Sequence, residues 1–483
     1  MLKENADKTG RVGMDKQYKS LIKNTGILTI SSFSSKILVF LLVPLYTSIL
    51  TTEEYGFFDI TQTTIQLAFP LLTADIISAI MRFCMDCKND TASVISIGLR
   101  TWLISTLVFS GAVLLNIPFE IVTELRGFEI LLVLMYGFYS LHQLFIQTAK
   151  GTDQVKILAI SGVIGTICVV LFNILFLVVL NKGLKGFYLA NILGDAAPAI
   201  YMIVSLNIRK YVVFKRDRIL IKRMLKYSIP LVVNTIGWWV NNNIDKYIIT
   251  WLCDLSTNGL LSVAYKIPNI LTVVGGIFLQ AWQISAVKEY ETDESEKFYN
   301  TIYKYYNLGL LLTTTVLIFL IKPISHLLFQ KEFSEAWVFV PFLLISCFFT
   351  QIASFYGPIL SALMDSKAMA ISSLIGIITN VSLNIGLTLL IGPVGIAVAT
   401  AISSFVIYVI RRWYVNKRVR IEEKKQIYAG WVLLCVLSAV VTMNVSPFVS
   451  LSLTILIVAI NINDVYLLLE HMKKWLHERR KSK

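Results

Sequence analysis

Apolar residues in this chain recur in runs of about 20, separated by short polar stretches; an α-helix needs about 20 such residues to cross a bilayer. Fourteen segments are read as spans: 25–48, 58–81, 92–115, 127–149, 157–180, 186–207, 227–251, 259–283, 300–321, 335–361, 369–391, 395–411, 427–444 and 450–469. The seventh and eighth are the least hydrophobic. The first run continues too long for a signal-peptide core and offers no small-residue cleavage site, so no signal peptide is expected.

Composition agrees with that pattern. Of 483 residues, 56% are hydrophobic and 15% charged, against about 45–50% and 25% in soluble domains. The mean hydropathy is +0.69. These values exclude a disordered chain, a collagen, a disulfide scaffold and a cytosolic enzyme. The six cysteines are scattered, and Cys84-x-x-Cys87 lacks the second pair that a structural zinc site needs. No Gly-Lys dipeptide occurs, so the phosphate loop of nucleotide hydrolases is absent. No H-E-x-x-H occurs either, and no loop could hold a soluble catalytic domain. The expectation is a non-enzyme without a cofactor.

Lys and Arg number 44 against 30 Asp and Glu, a formal charge of +14. The excess lies between the apolar runs, which makes topology a better explanation than nucleic acid. Counting Lys304 and Arg411 at the ends of their spans, thirty-five basic residues fall at the N-terminus, the even-numbered loops and the C-terminus, and 5 in the odd-numbered loops. By the positive-inside rule both termini are expected in the cytoplasm. The remaining four, Lys36, Arg100, Lys246 and Lys266, lie inside spans.

The longest basic linker divides the chain. Residues 1–206 form an N-terminal lobe of six spans, 207–226 the linker and 227–413 a second six-span lobe; 414–483 hold two appended spans and a basic tail. The linker itself reads as a loop attracted to anionic headgroups. The halves repeat: Lys156-Ile157-Leu158-Ala159-Ile160-Ser161 resembles Lys367-Ala368-Met369-Ala370-Ile371-Ser372 at an offset of 211, a register that pairs Gly165 with Gly376 and Asn173 with Asn384. Lys23 and Gly56 match Lys226 and Gly259 at an offset of 203. With six helices each, the halves insert in the same sense, so an axis along the membrane normal and a cleft between lobes are expected.

Polar residues inside a bilayer are costly and usually face a bundle interior or a wet cavity. The first two helices of each half carry them at helical spacing. They are Thr25, Thr29, Ser32 and Lys36; Asp59, Gln62, Gln66 and Thr73; Asn234, Trp238, Asn241 and Asp245; and Lys266, Asn269 and Gln280. One reading is interhelical hydrogen bonding. The other is a hydrated cationic cavity lined by Lys36, Lys246 and Lys266, with Arg82 and Arg100 added. Asp245 and Lys246 can instead pair with each other, and Arg82 can be an interfacial anchor. Asp75, Asp195 and Asp245 are the intramembrane carboxylates able to couple an ion. Asp195, with no adjacent cation, suits proton exchange best; its alternative is a hydrogen bond to a neighbouring helix.

At this point the chain resembles the multidrug/oligosaccharidyl-lipid/polysaccharide (MOP) exporter superfamily. Asn24-Thr25-Gly26, Pro44-Leu45-Tyr46 and Glu54-Tyr55-Gly56 are similar to the opening of polysaccharide repeat-unit flippases of the Wzx type. Ala79-Ile80-Met81-Arg82-Phe83 fits the end of their second helix, and Asp245-Lys246-Tyr247-Ile248-Ile249 with Gly259 and Ala264-Tyr265-Lys266 the start of their second lobe. Leu261 departs from the aromatic that commonly follows that glycine. The resemblance implies an all-α fold of six, six and two helices. It also implies translocation of an undecaprenyl-diphosphate-linked oligosaccharide across the bacterial plasma membrane, with a polysaccharide polymerase as a possible partner. Rival readings are a lipid II flippase, a multidrug cation antiporter, a membrane glycosyltransferase or ligase, and a scaffold. The antiporter would need a carboxylate-dominated site, the enzyme a large external loop, and the scaffold leaves the polar stripes unexplained.

Overall fold

The computed structural model describes residues 38, 40–86, 90–213, 217–290, 295–467 and 470. Ser32, Lys36 and most of the first expected span lie outside them, as do Cys87 and Lys215. Among the described residues the chain is helical throughout, with no strand.

Among the described residues, nine helices are long and apolar enough to cross a membrane, or up to eleven if two bent pairs each count as one span. In order, the first unit contains α1 (Val43–Ile49), α2 (Thr52–Leu72), α3 (Ile76–Cys84), α4 (Thr91–Leu114), α5 (Glu129–Gly151), α6 (Val155–Asn173), α7 (Gly183–Ser205) and most of α8 (Arg218–Leu252). The second contains α9 (Leu255–Ala264), α10 (Lys266–Glu289), α11 (Ser295–Phe319), α12 (Ile321–Leu328), α13 (Val340–Ala362), α14 (Ser366–Ile391), α15 (Val394–Asn416), α16 (Lys425–Thr442) and α17 (Pro447–Ile460). The chain divides between Asn242 and Asn243, with residues 51–56 packed in the second unit. The expected seventh span coincides with α8, whose stripe of Asn, Asp and Lys keeps it out of the apolar set, and the last with the 14-residue α17.

Local chemistry sets the helix ends. Thr51 and Glu54 form a capping box at the start of α2: the Thr51 backbone N–H donates to the Glu54 carboxylate at 2.9 Å and the Glu54 N–H to the Thr51 hydroxyl at 3.1 Å. Asp90, Asp254 and Asp365 cap α4, α9 and α14 through side-chain oxygens. Between α2 and α3 the path bends by 60°. Pro70 has no N–H to donate within α2, and Ala74 and Asp75 take left-handed φ values of 46° and 50°.

In the first unit, Ile77, Ile80, Val94, Leu144, Phe145 and Met202 join α3, α4, α5 and α7 in one core, extended by Met224 of α8. In the second, α13 is the hub; 83% of its apolar window is buried, against 22% for α14. The residues paired at an offset of 211 occupy matching places. Ser161 and Ser372 are buried on α6 and α14, as are Asn173 and Asn384. Gly165 lies close under α7, where a Cβ would stand 3.0 Å from the Gly194 carbonyl oxygen. Gly376 lies close under α15, where a Cβ would stand 2.4 Å from the Ile407 side chain.

Candidate functional site

The intramembrane carboxylates each hold a defined set of partners. Asp75, at the break between α2 and α3, is buried and accepts hydrogen bonds from Ser78 Oγ at 2.5 Å and from Thr235 Oγ1 of α8 at 3.1 Å. Also in the first unit, the Trp239 indole donates to the Thr63 carbonyl at 3.0 Å. Its neighbour Trp238 is 60% exposed. On the same helix Asn234 is exposed and Asn241 half-buried, while Gln62 and Gln66 are half-buried on α2.

Asp195 sits in the middle of α7, and its Oδ1 lies 2.9 Å from Nδ1 of His142 on α5. The side chains are 31% and 13% exposed, and His142 Nε2 is buried without a hydrogen-bond partner. The neighbour-helix bond weighed for Asp195 is present, and its donor or acceptor is an imidazole. Sequence reasoning passed over His142. The signal was available, because an ionisable residue inside a span is itself a functional flag.

In the second unit, Asp245 of α8 is buried and accepts a hydrogen bond from the Tyr265 hydroxyl and one at 3.0 Å from the Lys246 backbone N–H. Tyr265 is the junction between α9 and α10, and Lys266 follows it. Lys246 and Lys266 each follow one partner of this bond in the sequence. Both lysines are half-buried, and the Lys266 ammonium lies 6.0 Å over the Tyr55 ring. Asn269 is exposed one turn further along α10.

The two arginines take other places. Arg82 is exposed near the end of α3. Arg100 Nη2 donates to the Val213 carbonyl at 2.7 Å, while Ser96 Oγ donates to the Tyr211 carbonyl at 2.6 Å. Arg100 thus fastens the start of the basic linker onto α4, which occupies its guanidinium with backbone.

A second charged cluster had no sequence signal. The Glu423 side chain has no exposure and makes an ion pair with Arg412 at 3.0 Å. Its carboxylate accepts from the hydroxyls of Tyr303, Tyr356 (3.2 Å), Tyr408 (2.7 and 2.8 Å) and Tyr428 (2.5 Å). A glutamate in a Lys- and Arg-rich linker reads as solvated; here five side chains from α11, α13, α15 and α16 enclose it.

With this geometry in hand, the comparisons are specific. Residues 21–284 match the profile of the polysaccharide biosynthesis protein family, more than half of the 483-residue chain. No curated protein sequence matches the chain significantly. Among solved structures, a lipid II flippase, MurJ, in an inward closed conformation is similar, at 16% identity and a TM-score of 0.66, covering 92% of this chain and 99% of that one. An inward-facing multidrug resistance MATE family transporter of the MOP superfamily is similar at 15% identity and a TM-score of 0.65, covering 82% and 95%. A MOP superfamily transporter from Pyrococcus furiosus is similar at 12% identity and 0.54, covering 82% and 96%. A many-helix chain with this profile over more than half its length belongs to the polysaccharide biosynthesis protein family.

Proposed function

We propose that this chain is a flippase moving an undecaprenyl-diphosphate-linked oligosaccharide repeat unit from the inner to the outer leaflet of a bacterial plasma membrane by alternating access. Fourteen spans with both termini cytoplasmic belong to the same reading, as does a polymerase that consumes the product outside. The observation that supports it is the polysaccharide-family profile, together with the Asp245–Tyr265 bond, whose partners are followed in sequence by Lys246 and Lys266. A diphosphate is a strong acceptor of charge-assisted hydrogen bonds, and cations in a low-dielectric site hold it far more firmly than in water. Lys36 is proposed as a third cation of this site. The glycan crosses the bilayer's polar path while the prenyl tail stays in hydrocarbon.

A lipid II flippase is the second reading, favoured by the likeness that extends over 99% of the lipid II flippase chain. The two substrates share the diphosphate and differ in glycan, so the cationic site serves either. A multidrug cation would meet the two lysines unfavourably.

The test is flipping in proteoliposomes loaded with lipid-linked oligosaccharide or with lipid II. A charge-assisted hydrogen bond contributes about 1.5–3 kcal/mol, so Lys246→Ala and Lys266→Ala should each slow oligosaccharide flipping about 10- to 100-fold. Lys288→Ala, at an exposed position, should leave it unchanged. Normal flipping by both variants would remove the cationic site from the substrate path. Faster flipping of lipid II than of the oligosaccharide by the unaltered chain would favour the second reading.

A further inference from the structure

The second unit carries an apolar groove of about 420 Å³ between α13, α15 and α16. Its floor is Phe349 and Trp431, with ring centroids 5.4 Å apart, and its walls include Ile402 and Phe405 of α15 and Tyr428 and Val432 of α16. Ile402, Phe405, Tyr428 and Val432 are 39–63% exposed, so the groove opens on the outside of the helix bundle.

Both walls end in a cation at the same end. On α15 the groove residues Val398, Ile402 and Phe405 continue at helical spacing to Arg412. On α16, Lys425 begins the stripe Tyr428, Val432 and Cys435 at i, i+3, i+7 and i+10. The Arg412 guanidinium lies 6.0 Å over the Tyr428 ring, and Lys425 is exposed.

We propose that this groove binds one anionic glycerophospholipid, with an acyl chain along the Phe349–Trp431 floor and the phosphodiester at Arg412 and Lys425. Basic residues at the end of an apolar cleft between membrane helices are the arrangement that recognises acidic headgroups. Glu423 pairs with Arg412 at 3.0 Å, and Lys425 stays exposed at this end, so the groove ends in a cation that a phosphodiester can meet. The bound lipid would brace the appended helix α16 against α13 and α15, a role separate from the substrate path.

The test is native mass spectrometry of the full chain released from nanodiscs holding equal phosphatidylglycerol, phosphatidylcholine and undecaprenyl phosphate. Phosphatidylglycerol should be the retained adduct. Lys425→Ala should lower its retention about fivefold, the contribution of one basic residue at an anionic surface. Val432→Trp fills the groove from an exposed position and should abolish the adduct, whereas Ile455→Trp, exposed on α17, should not. Equal retention of phosphatidylcholine, displacement by undecaprenyl phosphate, or an adduct that survives Val432→Trp would each overturn the proposal. Oligosaccharide flipping by Val432→Trp reports on the substrate site independently.

Discussion

Glu423 illustrates how a charge survives away from water. Burying a carboxylate costs several kcal/mol unless geometry and hydrogen bonding recover it, and here four phenol hydroxyls and a guanidinium do so. The tyrosines lie 120, 67, 15 and 5 residues away along the chain, which is why no local motif announces the cluster. Glu423→Gln keeps the shape but leaves Arg412 without its counter-charge, so it should cost about 3 kcal/mol. Thermal unfolding in detergent should show a clear fall in melting temperature, against no change for the exposed Glu422→Gln. Equal melting of the two variants would mean that water already compensates Arg412. His142 and Asp195 teach a related lesson. Each was visible singly as an ionisable residue in an apolar run, but their pairing across 53 positions is a tertiary fact. Lys246 and Lys266 drew attention in the sequence because helical spacing put them beside polar stripes, and their role stays with the proposed function.

Helices were more legible than sites, because a 20-residue apolar run has few alternatives to a span. The expected segments from the second to the fourteenth overlap described helices, the second and the eighth each falling across two, while nine to eleven spans are long and apolar enough among the described residues. The bend at Asp75 was hidden inside one expected segment, since Pro70 alone does not specify two residues of positive φ. The offset of 203 acquires a physical meaning at Gly56 and Gly259. A Cβ on Gly56 would stand 1.9 Å from the Leu255 carbonyl oxygen, and one on Gly259 2.0 Å from that of Thr52. Thr52 and Ser256 hydroxyls meet at 2.6 Å beside them, and Asn258 Nδ2 donates to the Gly56 carbonyl at 3.1 Å. The two repeated turns therefore pack backbone to backbone. Gly56→Ala should force them apart at a cost of about 1–3 kcal/mol. Gly111→Ala, in α4 with nothing within 4 Å of the added carbon, should gain about 0.5–1 kcal/mol from the stiffer unfolded chain. Melting curves of the two variants should shift in opposite directions. A neutral Gly56→Ala would show that the crossing yields without loss.

For the whole molecule, charge placement and buried ionisable groups carry the remaining expectations. Thirty-five of 44 basic residues on one set of loops should fix orientation during insertion. In a cysteine-free background, a membrane-impermeant thiol reagent should label Ile121→Cys from outside intact cells but not Met364→Cys. These positions are 71% and 92% exposed, so access alone would permit both. Labelling of Met364→Cys would invert the topology. Energy supply is the other whole-molecule question. Under the proposed function, uphill flipping would draw on a gradient or on the membrane potential, which is worth about 2.3 kcal/mol per charge per 100 mV. The His142–Asp195 pair joins α5 and α7 through two ionisable side chains 2.9 Å apart. If the pair couples substrate movement to pH, loss of either partner should remove the response to a gradient. Asp195→Asn keeps a hydrogen-bonding side chain there and removes the carboxylate. In proteoliposomes with an imposed pH gradient, oligosaccharide flipping by the native chain should accelerate, whereas Asp195→Asn should flip at its gradient-free rate. His142→Gln should behave like Asp195→Asn, because either change breaks the shared site. If both variants still accelerate under the gradient, the pair is structural, and the driving force is the membrane potential or removal of product on the outer face.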